Sequence, residues 1–330
     1  MMALLQGMDV WLGQGLILGF IVANVALGIT GFSILFERKF AGRMQSRPGP
    51  TEVGPLGLLQ PIADVVKLMS KEDIIPRSAD KALFNLAPPL TVLAAVATLA
   101  VVPFAPGVIV ADLHIGILFA LSISSLVVFP IWMAGWASNN KYALLGGMRQ
   151  VAQGISYEIP LLLSAVVPII LADSFRVGDI VEKQLDGNWF AFWPIGPGAL
   201  AFALFFLSSL AESNRIPFDI PEAESELVAG VTTEYTGMKF GLFYLAEYLH
   251  TLVISAIAAA LFFGGWDGPG DNDGLLWMML KTLALFASIF WIRWSYMRYR
   301  SDQLMAICWK FFLPLGLLLV MASATWVHLS

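Results

Sequence analysis

The chain has 330 residues, 58% of them hydrophobic and only 13% charged, with a mean hydropathy of +0.76. Soluble domains carry about 25% charged residues, so a water-soluble enzyme is excluded, and a net charge of −5 excludes a nucleic-acid binder. One Cys and three scattered His exclude a disulfide framework, a zinc cluster and a Cys-ligated iron–sulfur centre.

A helix crossing a bilayer needs about 20 apolar residues. Charge-free runs at 10–36, 82–111, 113–140, 187–211, 248–266 and 311–330 are long enough. Two further runs qualify with isolated charges inside: 144–171, which holds Arg149 and Glu158, and 274–292, which holds Lys281. The pattern predicts an all-α, polytopic transmembrane bundle of eight spans, about 11–36, 82–104, 114–136, 144–171, 191–212, 239–264, 274–295 and 304–327. Neither a repeat nor a low-complexity linker divides 1–330, so a single integral membrane domain is expected. The first helix lacks a basic n-region and a cleavage site, and reads as a permanent span. Alternate loops hold 15 of the 19 cations and the opposite loops hold 2. That asymmetry places both termini on the non-cytoplasmic side.

Three regions break the simple membrane pattern. Leu58, Leu59, Ile62, Val65, Val66 and Met69 recur with helical spacing along 56–71, which predicts an amphipathic helix on the cytoplasmic side. Such a helix either rests on the membrane surface or lines a cavity with its polar face. The preceding loop, 43–55, has three prolines and two glycines and is either a disordered connection or a packed, rigid one. The second region, 212–234, holds Glu212, Asp219, Glu222, Glu224, Glu226 and Glu234 against one cation, Arg215. A solvated loop is the ordinary explanation of such an acidic run. Interleaved Ile216, Phe218, Ile220, Leu227 and Val228 argue against it.

The third region is the set of ionisable groups within spans. Glu158 lies about 21 Å along a helix starting near Leu144, close to the bilayer midplane, and Pro160 follows it. Glu247 lies two turns into the sixth span with His250 on the same face. A charge at such depth costs about 2.5–3.5 kcal/mol and points to a functional pathway; the plainer alternative is a neutral carboxyl bonded to a neighbouring helix. Glu247 and His250 match a Glu-x-x-His spacing, but a di-iron site needs two such pairs, so no metal is expected. Arg293 and Arg298, with Trp291, Trp294, Tyr296 and Tyr299 around them, also suit an ordinary aromatic belt with snorkelling arginines. Cys308 reads as apolar packing.

Glu37-Arg38-Lys39 and the stretches 54–72 (GPLGLLQPIADVVKLMSKE), 136–160, 211–247 and 292–310 resemble one family. It is the quinone-site membrane subunit of proton-pumping NADH–quinone oxidoreductase, respiratory complex I, found in both bacteria and mitochondria. The resemblance covers nearly the whole chain. It implies a chamber in which quinone approaches an iron–sulfur cluster on a peripheral subunit. Positions matching its polar lining are Glu37, Arg38, Arg47, Asp64, Lys67, Glu212, Arg215, Asp219, Arg293 and Arg298. Glu158, Glu212, Glu222, Glu224, Glu226, Glu234 and Glu247 match the start of a proton route. The chain departs from the family at Thr51 and Glu52, where Asn and a basic residue are usual, and at Met297 and Ser301.

The resemblance further implies quinone as substrate, flavin and iron–sulfur clusters on partner subunits, antiporter-like membrane neighbours, and a bacterial inner membrane. The corresponding subunit of a membrane-bound hydrogenase or ferredoxin-linked complex is the near alternative, and a standalone proton or cation transporter the distant one.

Overall fold

The computed structural model describes residues 2–185, 188–193, 197–221, 224–268 and 273–329. Glu222 lies outside the described residues, as does the side chain of Glu224. The described residues are helical, with no strand among them beyond an isolated bridge between Ala105 and Val108.

The helices in chain order are α1 (Met2–Met44), α2 (Gln60–Ser70), α3 (Lys81–Leu99), α4 (Gly116–Ser125), α5 (Val128–Ala137), α6 (Lys141–Ala172) and α7 (Val177–Glu182). They continue with α8 (Pro197–Glu212), α9 (Glu224–Leu227), α10 (Gly237–Phe262), α11 (Leu275–Ser295), α12 (Ser301–Ile307) and α13 (Leu313–Leu329). A five-residue π-turn, Cys308–Phe312, joins the last two. Among the described residues, seven stretches are long and apolar enough to cross a membrane, with α4–α5 and α12–α13 each acting as one. The expected span 191–212 is not among the seven: α8 covers part of it, and its 16 residues extend about 24 Å, short of the about 30 Å of a hydrocarbon core.

Local chemistry sets several boundaries. Asp80 caps α3 by accepting from the backbone N–H groups of Ala82 and Leu83, and Asn140 caps α6 by accepting from that of Tyr142. Such caps satisfy N–H groups that a helix leaves unpaired. Helix α6 ends at Asp173 in the left-handed region, φ 57°, and Pro160 and Pro168 lie within it.

Packing centres on two helices. Helix α6 lies against α5, α8 and α13, while α10 lies against α1, α2, α3 and α11. From Tyr248 to Phe262 every residue of α10 is buried, as a helix apolar on all sides must be. Its polar side chains there are therefore shut off from bulk solvent.

The loop 43–57 is packed. Lys39 donates its Nζ–H to the Leu56 carbonyl, and a Cβ at Gly49 would meet Lys39 Cα at 2.8 Å. The apolar side chains at Leu58, Leu59, Ile62, Val65, Val66 and Met69 are exposed on this chain.

Candidate functional site

The segment after α8 turns inward because α6 holds it. Gln153 Nε2 donates to the carbonyls of Ala211 (2.7 Å) and Phe218 (2.9 Å), and to Asn214 Oδ1 (3.2 Å). Gly146 lets the segment approach α6, since a Cβ there would meet the Pro221 carbonyl at 2.9 Å. Neither residue carries a charge, and nothing in the sequence singles them out.

Thus held, Arg215 is only 1% exposed. Its Nη1 lies 3.5 Å from Glu37 Oε2 and its Nε 3.1 Å from Glu247 Oε1. The guanidinium carbon sits 4.0 Å from the centre of the Tyr248 ring, a cation–π distance. None of its nitrogens makes a well-directed hydrogen bond among the described residues, so charge proximity holds it. Burial alone would lower its pKa, but Glu247, Tyr248 and Glu37 outweigh that and raise it. Arg215 is a fixed cation.

Glu37 is the hub. Arg293 Nη1 donates to its Oε1 at 2.6 Å and the Tyr248 hydroxyl to its Oε2 at 2.5 Å. Beside them, Arg298 Nη2 donates to Asp219 Oδ2 at 2.9 Å. Burial raises the Asp219 carboxyl above its ordinary value despite the lowering influence of Arg298 and Arg293. Glu37, Glu247 and Asp219 thus face Arg215, Arg293 and Arg298, and fully ionised the cluster balances. A buried pair that loses one partner leaves an expensive lone charge, so one proton gained or lost here disturbs every neighbour.

Two cavities flank the cluster. A pocket of about 360 Å³ lies between α1, α2 and α10. Its polar rim is Arg38, Gln60, Asp64 and Lys67, and its walls include Ile34, Leu35, Val65 and Leu68. Arg38 reaches Asp64 at 2.7 Å, and Lys67 lies 3.5 Å from the same carboxylate. Burial raises Asp64, but the Gln60 hydrogen bond and the two cations together outweigh it and leave the group below the usual carboxylate value. The second cavity, about 50 Å³, is bordered by Gln150, Glu212, Glu247 and His250.

Of the expected site residues, Glu37, Arg215, Asp219, Glu247, Arg293 and Arg298 come together, with Glu212 at 3.4 Å from His250. Arg38, Asp64 and Lys67 line the larger pocket. Glu158 is half-buried on α6 and has Glu212 as its charged neighbour. Glu226 pairs with Arg149 at an exposed position, and Glu234 accepts from Asn140 Nδ2 at 2.5 Å. Arg47 is exposed and donates to Gln45, away from the cluster. Sequence reading does not single out Tyr248, although its place beside Glu247 within an apolar run is a usable signal.

Comparisons with known proteins identify the family of the chain. A family model described as NADH dehydrogenase matches residues 16–324. The chain belongs to that family. Relatives described as the H subunit of NADH-quinone oxidoreductase include one from Dehalococcoides mccartyi (strain CBDB1), 49% identical over 302 residues, or 92% of this chain and 82% of that one. Another, from Brevibacillus brevis, is 47% identical over 333 residues, covering 98% and 97%. One from Burkholderia vietnamiensis is 45% identical over 317 residues, covering 93% and 89%.

Proposed function

We propose that this chain, a multi-pass membrane subunit of NADH–quinone oxidoreductase, forms much of the quinone chamber and starts the proton route. The observation that carries this reading is the charge-balanced cluster of Glu37, Arg215, Glu247 and Arg293 beside the amphipathic pocket. Quinones combine a polar head with a hydrocarbon tail. The apolar walls suit the tail, and Arg38, Asp64 and Lys67 suit the head.

Reduction of a quinone takes two electrons and two protons. The electrons come from an iron–sulfur cluster of a peripheral partner subunit, and flavin belongs to the same electron-input module. This chain supplies position and protons. A negative charge developing on the quinone pulls on the cations of the cluster and changes which carboxyls hold protons. The change passes through Glu212, Glu158 and Glu247, with Glu222, Glu224, Glu226 and Glu234 at its cytoplasmic approach, toward antiporter-like membrane neighbours. Each proton moved works against about 2.3 kcal/mol per 100 mV.

In this reading α8 serves as an eighth span, and the whole chain is one membrane domain in a bacterial inner membrane. Both termini lie on the non-cytoplasmic side, and α2 rests on the cytoplasmic membrane surface with its apolar stripe toward lipid. A photoreactive short-chain quinone added to the assembled complex tests the chamber. Labelling of α1, α2 or α10, competed by unmodified quinone, is expected. Competed labelling confined to other segments overturns the reading.

A further inference from the structure

His250 lies on α10 one helical turn from Glu247, and only 3% of it is exposed. Its Nε2 stands 3.4 Å from Glu212 Oε1. Both ring nitrogens and Glu212 Oε2 are buried, with no well-directed hydrogen bond among the described residues. An imidazole and a carboxylate buried in this state are costly unless something completes them. The cavity of about 50 Å³ that borders both also borders Glu247 and Gln150. A polar cavity holds a water when about 10–15 Å³ is open to it, so this one accommodates water between the imidazole and Glu247.

We propose that His250 is a proton carrier between Glu212 and Glu247, working through water in this cavity. Nε2 of the neutral ring takes the proton of a protonated Glu212. The imidazolium releases its Nδ1 proton to the cavity water, and that water gives a proton to the Glu247 carboxylate. One proton crosses, no electron moves, and rotation of the ring presents its unprotonated nitrogen to Glu212 again for the next transfer. The charged and titratable groups around the ring are Glu212 from α8 and Glu247 on its own helix, with Arg215 fixed against Glu247. Helix α3 contributes Thr91 and α6 Gln150 to the cavity wall, and neither titrates.

The inference rests on the proton-route reading, so the experiment carries separate arms for each. The assembled complex is reconstituted in vesicles with His250→Asn, His250→Gln, Glu212→Gln or Glu247→Gln. NADH-driven quinone reduction and proton uptake are followed from about pH 5.5 to 8.5 in H2O and D2O. His250→Asn and His250→Gln are expected to slow coupled turnover by about tenfold or more. They should also abolish the acid-side limb of the pH profile and change the solvent isotope effect, which loss of a structural contact alone would not do. Normal pumping, limb and isotope effect in both His250 variants, with the carboxyl variants impaired, overturns the role of His250 and leaves the route standing. Normal behaviour in all four overturns both. If neither His250 variant assembles, the unaltered complex decides: an acid-side limb with a solvent isotope effect supports the carrier, and a flat profile overturns it.

Discussion

Arg293, in the last turn of α11, donates to Glu37 near the C-terminal end of α1 across 256 positions of sequence. The bond is 2.6 Å long and fixes two otherwise largely peripheral helices to each other at the cluster. Removing the guanidinium leaves Glu37 with Tyr248 and Arg215. Arg293→Ala is expected to lower kcat/KM for a short-chain quinone by about tenfold, equivalent to about 1.4 kcal/mol. Arg293→Lys, which keeps the charge and loses the fork, should fall between. Unchanged steady-state kinetics in the alanine variant would return Arg293 to an ordinary interfacial arginine.

Glu247→Gln keeps shape and removes the proton. Arg215 then has Glu37 as its remaining anionic neighbour within ion-pair distance. Glu158→Gln makes the parallel change on α6. Both are expected to reduce coupled quinone reduction by about tenfold or more, while native electrophoresis finds the complex assembled. Normal turnover and pumping in both would remove these carboxylates from the proton route.

The Arg38–Asp64 tie between α1 and α2 has a defined pH range. Asp64 lies below its ordinary value of 3.8, so it favours the folded arrangement above that value. The contribution is lost as pH falls through the still lower folded value. The tie is thus constant across neutral pH and weakens only below about pH 4. Because Arg38 is half exposed, the pair is worth about 0.2–1 kcal/mol and is screened by salt. Asp64→Asn should raise the apparent KM for quinone a few-fold and leave the thermal transition nearly unchanged. An unaltered KM counts against Asp64 in the pocket.

Lys281 lies within α11 and is directed at backbone. Its Nζ donates to the carbonyls of Phe263 and Asp267, each at 2.6 Å, and sits 4.3 Å from the centre of the Trp189 ring. Phe263 is the C-cap of α10, where a cation satisfies open carbonyls and meets the negative end of the helix dipole. Lys281→Met should destabilise the protein by about 1–3 kcal/mol, seen as a lower Tm in detergent, with quinone kinetics little changed. An equal Tm would show that water replaces the ammonium.

Long charge-free runs made most of the helices legible, because hydrocarbon tolerates little else. Glu158 and Glu247 were legible for the same reason: an ionisable group stands out in an apolar setting, whereas Glu37 came from the resemblance and Arg293 and Arg298 equally suited an aromatic belt. Their pairing was not. Glu37 meets Arg293, Arg215 and Tyr248 through tertiary packing, which no local spacing encodes. Gln153 was silent because an uncharged amide is unremarkable until three acceptors converge on it. The loop 43–57 has the composition of a disordered link, and its close contacts depend on where Lys39 and Leu56 meet.

Glu37 and Arg38 are neighbours on one uninterrupted rod. One is sealed inside among Arg215, Arg293 and Tyr248, and the other borders the large pocket. No hinge separates them. Arg38 and Glu37 are thus held by the same stretch of backbone, one at the pocket and the other in the cluster. The rim of the pocket and the buried charges therefore share one turn of helix, and a substitution at either position is made a single peptide bond from the other.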